Sequence, residues 1–287
     1  MGECEKADAG SGGKCSPTIE NKVEQNLKSV KHKIIVMSGK GGVGKSTVAV
    51  NLAVGLSKGG CSVGLFDADM HGPSVPKLLG MHPMSLEIFE EKRIMPAIVP
   101  PSLKVVSIAF LLRDKYSPVI WRGPLKMGAI RDFLENVEWG ALDYLIVDLP
   151  PGTGDEPLSV VQLIPNPDGA IIVTTPQDVA LLSVRKSINF AKEMNLRVLG
   201  MIENMNGLSC PHCGKRIDVF GDGGAAKAAA EMDVEFLGSL PLDPSIAKSG
   251  DDGIPFILAQ GNGAMKAFEG MIDRISELVE KKKGDTT

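Results

Sequence analysis

The 287-residue chain is predicted to form an α/β domain on a doubly wound, mostly parallel sheet of about seven strands, with helices on both faces. Two observations carry that prediction. Short apolar runs recur at 34–37, 62–66, 105–110, 144–147, 170–173, 198–202 and 235–240. Each is continuous rather than alternating, as strands covered on both faces require. Helical stretches separate them, among them 45–58, closed by Gly59-Gly60, and 179–194. Strands alternating with helices pair in parallel through right-handed crossovers.

The remaining segments follow in order. Residues 1–31 have no aromatic residue, a Gly10-Ser11-Gly12-Gly13 run and mixed charge, so they read as a flexible tail ahead of a domain spanning 32–287. Residues 81–101 hold four prolines and little periodicity, and are expected to be irregular. Near the C-terminus Met265, Phe268, Ile272, Ile275 and Val279 share one helical stripe. That pattern predicts a helix docked on the sheet. Acidic Glu269, Asp273, Glu277 and Glu280 nearly balance its basic residues, unlike a membrane-surface helix.

Composition narrows the function. With 43% hydrophobic and 23% charged residues, disorder throughout is excluded. A formal charge of −4 and a pI near 5.7 argue against a generally basic nucleic-acid surface. The longest uncharged stretch, 13 residues at 253–265, contains Pro255 and is too short to span a bilayer. No apolar signal core follows Met1, and five cysteines suit a reducing compartment better than a disulfide scaffold. The expectation is a cytoplasmic protein with neither membrane nor nucleic acid as partner.

Chemistry enters with Gly39-Lys40-Gly41-Gly42-Val43-Gly44-Lys45-Ser46-Thr47, which fits G-x-x-x-x-G-K-[ST] between a predicted strand and a predicted helix. Glycines let consecutive N–H groups curl around phosphate oxygens, backed by the helix N-terminus. Lys45 supplies charge for the β- and γ-phosphates, and the Ser46 hydroxyl can ligate Mg²⁺. Lys40 is not needed to hold phosphates within one chain. It resembles the signature lysine of the deviant Walker A class, which includes MinD, ParA and the nitrogenase iron protein. In that class this lysine reaches across a nucleotide-sandwich dimer to the partner's phosphates.

Two acidic motifs end strands, where open α/β sheets bind ligands. Asp148 closes the apolar run 144–147 as a Walker B carboxylate, placed to hold Mg²⁺ through water. The glycine-containing loop after it, with Gly152 and Asp155, resembles a switch that senses the γ-phosphate. Asp67-Ala68-Asp69 ends the second strand; in the resembling class the first Asp lies near the Mg²⁺ hydration shell and the second positions the attacking water. Asn204, after the run 198–202, resembles an adenine-contacting Asn.

Cys210-Pro211-His212-Cys213-Gly214 is the second chemical feature. Two thiolates at this spacing can hold one edge of a metal site. A dithiol redox motif would need its first Cys at a helix N-terminus, whereas the flanks here read as loop. Iron–sulfur clusters and tetrahedral sulfur sites usually want four thiolates, so the simplest completion is a twofold dimer in which each chain brings Cys210 and Cys213. Cys61 reads as packed at the start of a strand.

The phosphate loop, Asp67-Ala68-Asp69, Trp121-Arg122-Gly123-Pro124, 148–155, Thr175-Pro176-Gln177, Ile202-Glu203-Asn204-Met205 and the cysteine pair together resemble the Mrp/ApbC-type P-loop ATPases, iron–sulfur cluster carriers, over about 32–280. The resemblance implies a homodimer that binds and slowly hydrolyses ATP. It also implies a [4Fe–4S] cluster bridged by the two cysteine pairs, and apo iron–sulfur proteins and assembly factors as partners. Eukaryotic cytosolic relatives carry a further N-terminal four-cysteine cluster, where this chain has only Cys4 and Cys15. Two alternatives stay open. A spatial-organisation ATPase like MinD or ParA would share the ATPase motifs, although the cysteine pair and net acidity speak against it. Thiolates also accept zinc, so the pair could form a structural zinc clasp.

Overall fold

The computed structural model describes residues 19–70, 72–81, 93–111, 123–210, 212–259 and 263–284. Cys4, Cys15, Pro211, Trp121 and Arg122 lie outside the described residues, as does most of the segment 81–101. Helix α1 (Ile19–Asn26) leads into β1 (Val30–Ser38), α2 (Lys45–Lys58), β2 (Val63–Asp67), α3 (Val75–Leu78), β3 (Ala97–Val99) and β4 (Leu103–Ser107). Next come α4 (Gly123–Asn136), β5 (Leu142–Asp148), α5 (Asp155–Leu163), β6 (Gly169–Thr174), α6 (Asp178–Glu193) and β7 (Val198–Glu203). A short hairpin, β8 (Leu208–Ser209) and β9 (Arg216–Ile217), precedes α7 (Gly224–Glu231), β10 (Phe236–Ser239), α8 (Pro244–Asp252) and α9 (Gly263–Gly284).

The main sheet has eight strands in the order β10-β7-β6-β1-β5-β2-β4-β3, parallel except for the β3–β4 pair. Each of the seven expected strands forms within a few residues of its run. The run at 105–110 is shorter than expected, because the strand ends at Ser107 and turns into a 3₁₀ helix at Ile108–Leu111. The eighth strand, β3, falls in the segment expected to be irregular. Three residues flanked by Pro96 and Pro100 leave too short a pattern to see, and prolines are tolerated at a sheet edge.

Alternation along the central strand fills two cores. Ile35 and Met37 pack under α1, α4, α5, α6 and α7, whereas Ile34 and Val36 pack under α2 and α9. The expected C-terminal stripe is borne out: Phe268, Ile272, Ile275 and Val279 are buried against the second core, and Met265 packs at its margin. Each buried side chain of this size contributes about 1.5–3 kcal/mol of burial energy.

The tail boundary expected at residue 31 moves toward the N-terminus. Val23 and Leu27 are buried in the first core, and Asn26 Nδ2 donates to the carbonyls of Leu134 and Val137 at 2.8 and 2.9 Å. Those bonds satisfy carbonyls at the C-terminal end of α4, which otherwise lack intrahelical donors. Val23 on α1 and Leu27 just after it, four residues apart, bury into this core a segment whose composition alone suggested a tail.

Candidate functional site: a phosphate loop and a cysteine hairpin at one end of the sheet

The loop after β1 is shaped by backbone freedom. Gly42 and Gly44 have φ of 78° and 86°, in the left-handed region. At Gly44 a Cβ would also lie 2.1 Å from Asn204 Nδ2, and at Gly39 one would lie 2.5 Å from the Ser183 backbone. Helix α2 then starts with no side-chain cap and no acidic residue in its first turn. Its first N–H groups and positive dipole end therefore face the loop, an arrangement suited to anions. A cleft of about 490 Å³ opens there, lined by Gly41, Gly42, Gly44, Lys45, Ser46, Thr47, Asp69 and Pro151 among others.

Behind the cleft stands a buried charge cluster. Adjacent parallel strands β2 and β5 bring Asp67 level with Asp148 at their C-terminal ends. Lys45, 6% exposed, donates to Asp148 Oδ1 at 2.7 Å and lies 3.6 Å from Asp69. Ser107, at the end of β4, donates its hydroxyl to Asp67 at 2.8 Å. Burial first, and then the neighbouring Asp148 charge, push the Asp67 carboxyl up to about 8. Burial likewise raises Asp148, against the lowering pull of Lys45. A cation bound here would favour the ionised form of these buried carboxyl groups, which a single lysine does not balance.

These residues fit Mg²⁺. Asp148 Oδ2 is buried with no donor, a costly state for a carboxylate oxygen, and the Ser46 hydroxyl lines the adjacent cleft. Among the described residues no three of His, Cys, Asp or Glu converge to hold a metal unaided. The remaining oxygens would come from water and phosphate, as Mg²⁺ prefers.

Three neighbours complete this end. Gly152, with φ of 94°, donates its N–H to Ser38 O at 2.8 Å, pinning the loop after β5 beside β1. Lys40 Nζ donates to Gln177 Oε1 at 3.2 Å, at the N-terminus of α6. Asn204 Nδ2 donates to Val43 O at 2.9 Å, so its amide braces the phosphate loop from below.

The cysteines lie apart from the cleft, on the β8–β9 hairpin. Cys210 N donates to Lys215 O and Gly214 N to Cys210 O, both at 2.9 Å, closing a tight turn with Gly214 at φ of 69°. Cys210 is partly exposed and Cys213 exposed. The N–H groups of Cys213 and then His212 draw the Cys210 thiol below its ordinary range, which favours the metal-binding thiolate. Among the described residues no helix begins at this pair, in agreement with the loop expected from its flanks. Cys61 is partly exposed beside the second core, and burial raises its thiol.

Sequence reasoning missed Ser107, whose only signal was its place at a strand end beside Asp67. It also missed the side chains that anchor the hairpin. Asn206 Oδ1 accepts from Arg216 Nη2 at 2.6 Å, and Arg216 Nε donates to Asp218 at 2.6 Å. No periodicity marks such contacts.

Among the described residues no helix is long and apolar enough to cross a membrane. The chain is 51% identical over 265 residues to the iron-sulfur cluster carrier protein of Methanocaldococcus jannaschii, covering 91% of this chain and 90% of that protein. Among solved structures it resembles an ADP-bound nucleotide-binding protein of Archaeoglobus fulgidus, with 42% identity, a TM-score of 0.72, and coverage of 82% and 91% of the two chains. The cell division ATPase MinD of Pyrococcus furiosus shares the fold, with a TM-score of 0.61 at 22% identity, covering 87% of this chain and all of that one. The family model described as NUBPL iron-transfer P-loop NTPase, of the ParA group, matches residues 29–276. With its phosphate loop, strand-end carboxylates and parallel sheet, the chain belongs to this family of P-loop NTPases.

Proposed function

We propose that the chain is an ATP-hydrolysing carrier that holds a [4Fe–4S] cluster as cargo between two copies of itself and delivers it to apo iron–sulfur proteins, with assembly factors as further partners. The observation that carries this reading is the pair Cys210, partly exposed, and Cys213, exposed, on a hairpin beyond the same strand ends that hold the phosphate loop. Two thiolates are half of what a cluster or a tetrahedral sulfur site needs, and a twofold axis supplies the other half. Partial exposure of Cys210 and the greater exposure of Cys213 suit cargo that must leave. The work is placed in the cytoplasm, where such thiols stay reduced.

In the nucleotide site, N–H groups of Gly39 to Thr47 and the Lys45 ammonium would hold the phosphates, with the Asn204 side chain beside the loop as the adenine contact. Ser46, and Asp67 and Asp148 partly through water, would hold Mg²⁺, which when bound neutralises charge on the β- and γ-phosphate oxygens. Asp69 would orient a water toward the γ-phosphorus. As the new P–O bond forms, the bond to the bridging oxygen breaks, leaving ADP and inorganic phosphate. Lys40 would leave Gln177 and reach the partner's phosphates, stabilising charge that develops in transfer. Gly152 and its loop would sense whether the γ-phosphate is present.

Anaerobic reconstitution with iron and sulfide tests the cargo site. Wild type is expected to bind iron and sulfide in equal amounts and turn brown, and the Cys210→Ala/Cys213→Ala variant to bind neither. A variant that retains as much cluster as wild type overturns the assignment. Zinc without iron in the purified, colourless protein would establish the clasp instead.

A further inference from the structure

The phosphate loop and the cysteine hairpin are joined by four consecutive residues. Asn204 is held between β6 and the loop: its N–H donates to Thr174 O at 2.7 Å, at the end of β6, and its side chain to Val43 O in the loop at 2.9 Å. Because Nδ2 fills the space a Cβ at Gly44 would need, the loop cannot shift there without moving Asn204. Met205 follows at φ of 61°, a left-handed conformation that a non-glycine residue holds only at a cost.

Asn206 then serves the hairpin. Its N–H donates to Leu240 O at 2.9 Å, its Nδ2 donates to Glu203 and to Ser239 Oγ, and its Oδ1 accepts from Arg216. Glu203 is fully buried and accepts from Ala225 N, at the start of α7, at 2.9 Å. Arg216 sits directly across the hairpin from Ser209, the residue before Cys210. Its guanidinium lies against Gly207, where a Cβ would come within 2.9 Å of Nε. A direct contact path therefore runs from Val43 through Asn204, Met205, Asn206 and Arg216 to the backbone that presents the thiols.

We infer that the segment Glu203-Asn204-Met205-Asn206 is the mechanical link through which nucleotide at the phosphate loop alters the cysteine hairpin, with Asn206 and Arg216 as positioning residues. The inference rests on the carrier reading above and names its internal regulation. If the two sites share a coupling free energy, each ligand must change the other's affinity by the same factor.

Iodoacetamide labelling of the metal-free full chain, resolved by peptide mass spectrometry, tests the link. In wild type, a non-hydrolysable ATP analogue with Mg²⁺ is expected to change the labelling rates of Cys210 and Cys213 by about five-fold or more. Cys61 lies just before β2, at the opposite end of the sheet, and should not respond. Arg216→Ala removes a half-exposed side chain and Asn206→Ala a short one, so both variants should fold and keep their nucleotide affinity, with unchanged Cys61 labelling as the control. Both are expected to bring the nucleotide-dependent ratio at Cys210 and Cys213 close to one. The reciprocal measurement uses Zn²⁺ alone: loading the thiols should shift nucleotide affinity in wild type and leave it unmoved in Arg216→Ala. A purely structural role would alter labelling equally with and without nucleotide, keeping the ratio.

The link is overturned if wild-type labelling ignores bound nucleotide, or if either variant keeps the wild-type ratio. Failure of the carrier reading looks different, since it appears as cluster retained by the chain lacking both cysteines.

Discussion

The two chemical regions sit beyond the ends of the same strands and are built on opposite principles. At the phosphate loop, Lys45, Asp67, Asp69 and Asp148 are all nearly or fully buried, with Lys45 2.7 Å from Asp148 and 3.6 Å from Asp69. At the hairpin, two thiols stand partly or wholly in solvent on four residues of ladder and a turn. The first region draws its buried charges from one chain, and on the proposed reading takes only Lys40 from the partner. On the proposed reading the second is half a site. A centre that must bind, discriminate and react gains from preorganised buried charge. A centre that must give up its cargo gains from exposure and from ligands shared between chains.

The largest test of this contrast removes each half in turn. Replacing Cys210 and Cys213 by serine should abolish cluster binding, read as iron per chain, while nucleotide affinity stays at the wild-type value. The Lys45→Ala variant should do the reverse. Removing one partner of a buried pair costs about 2–5 kcal/mol, so affinity for a fluorescent nucleotide should fall at least about 30-fold, with cluster assembly intact. Loss of both functions in either variant would merge the two regions into one.

Glycine substitutions sharpen the comparison on a smaller scale. Gly44 and Gly214 share a positive φ, but only Gly44 has a neighbour in the way of a Cβ. Gly44→Ala should therefore exceed the cost of about 1–3 kcal/mol that backbone strain alone imposes, whereas Gly214→Ala should show the strain alone. Thermal unfolding midpoints measure the difference; equal losses would mean that the Asn204 contact adds nothing.

The smallest effect concerns pH. Asp67 keeps its proton in the folded chain up to about 8, while in the unfolded chain it loses it near the ordinary value of 3.8. Between those values the unfolded state binds fewer protons, so this group's contribution to apo stability falls as pH rises and levels off above about 8. A cation that needs the ionised carboxylate gains over the same window. Stabilisation by MgADP should thus increase from pH 6 to pH 8 by up to about tenfold in affinity per unit, and less so in Asp67→Asn. A flat profile in wild type contradicts the buried-carboxylate account.

Much of this was legible in the residues, and the limits are physical. Phosphate-loop geometry is local, because glycines and a helix start impose it over nine residues, and the strand-end carboxylates follow from unbroken apolar runs. Order in α1 was not legible because Val23 and Leu27 acquire meaning only once α4 lies beside them. The edge strand β3 is too short for periodicity to register. For Asn204 the sequence suggested an adenine contact, and the structure adds a brace that no spacing announced: its amide donates to Val43 O across 161 positions. The same holds for Glu203, Asn206 and Arg216, whose partners are set by how β7, β10 and the hairpin converge rather than by any spacing along the chain.

Native mass spectrometry of the anaerobically reconstituted protein, with MgATP supplied, tests the shared-site account most directly. The expected species carries one [4Fe–4S] mass for every two chains, and that mass is lost when Cys210 and Cys213 are replaced. An intact cluster riding on a single chain, or a chain that never pairs under these conditions, would contradict it.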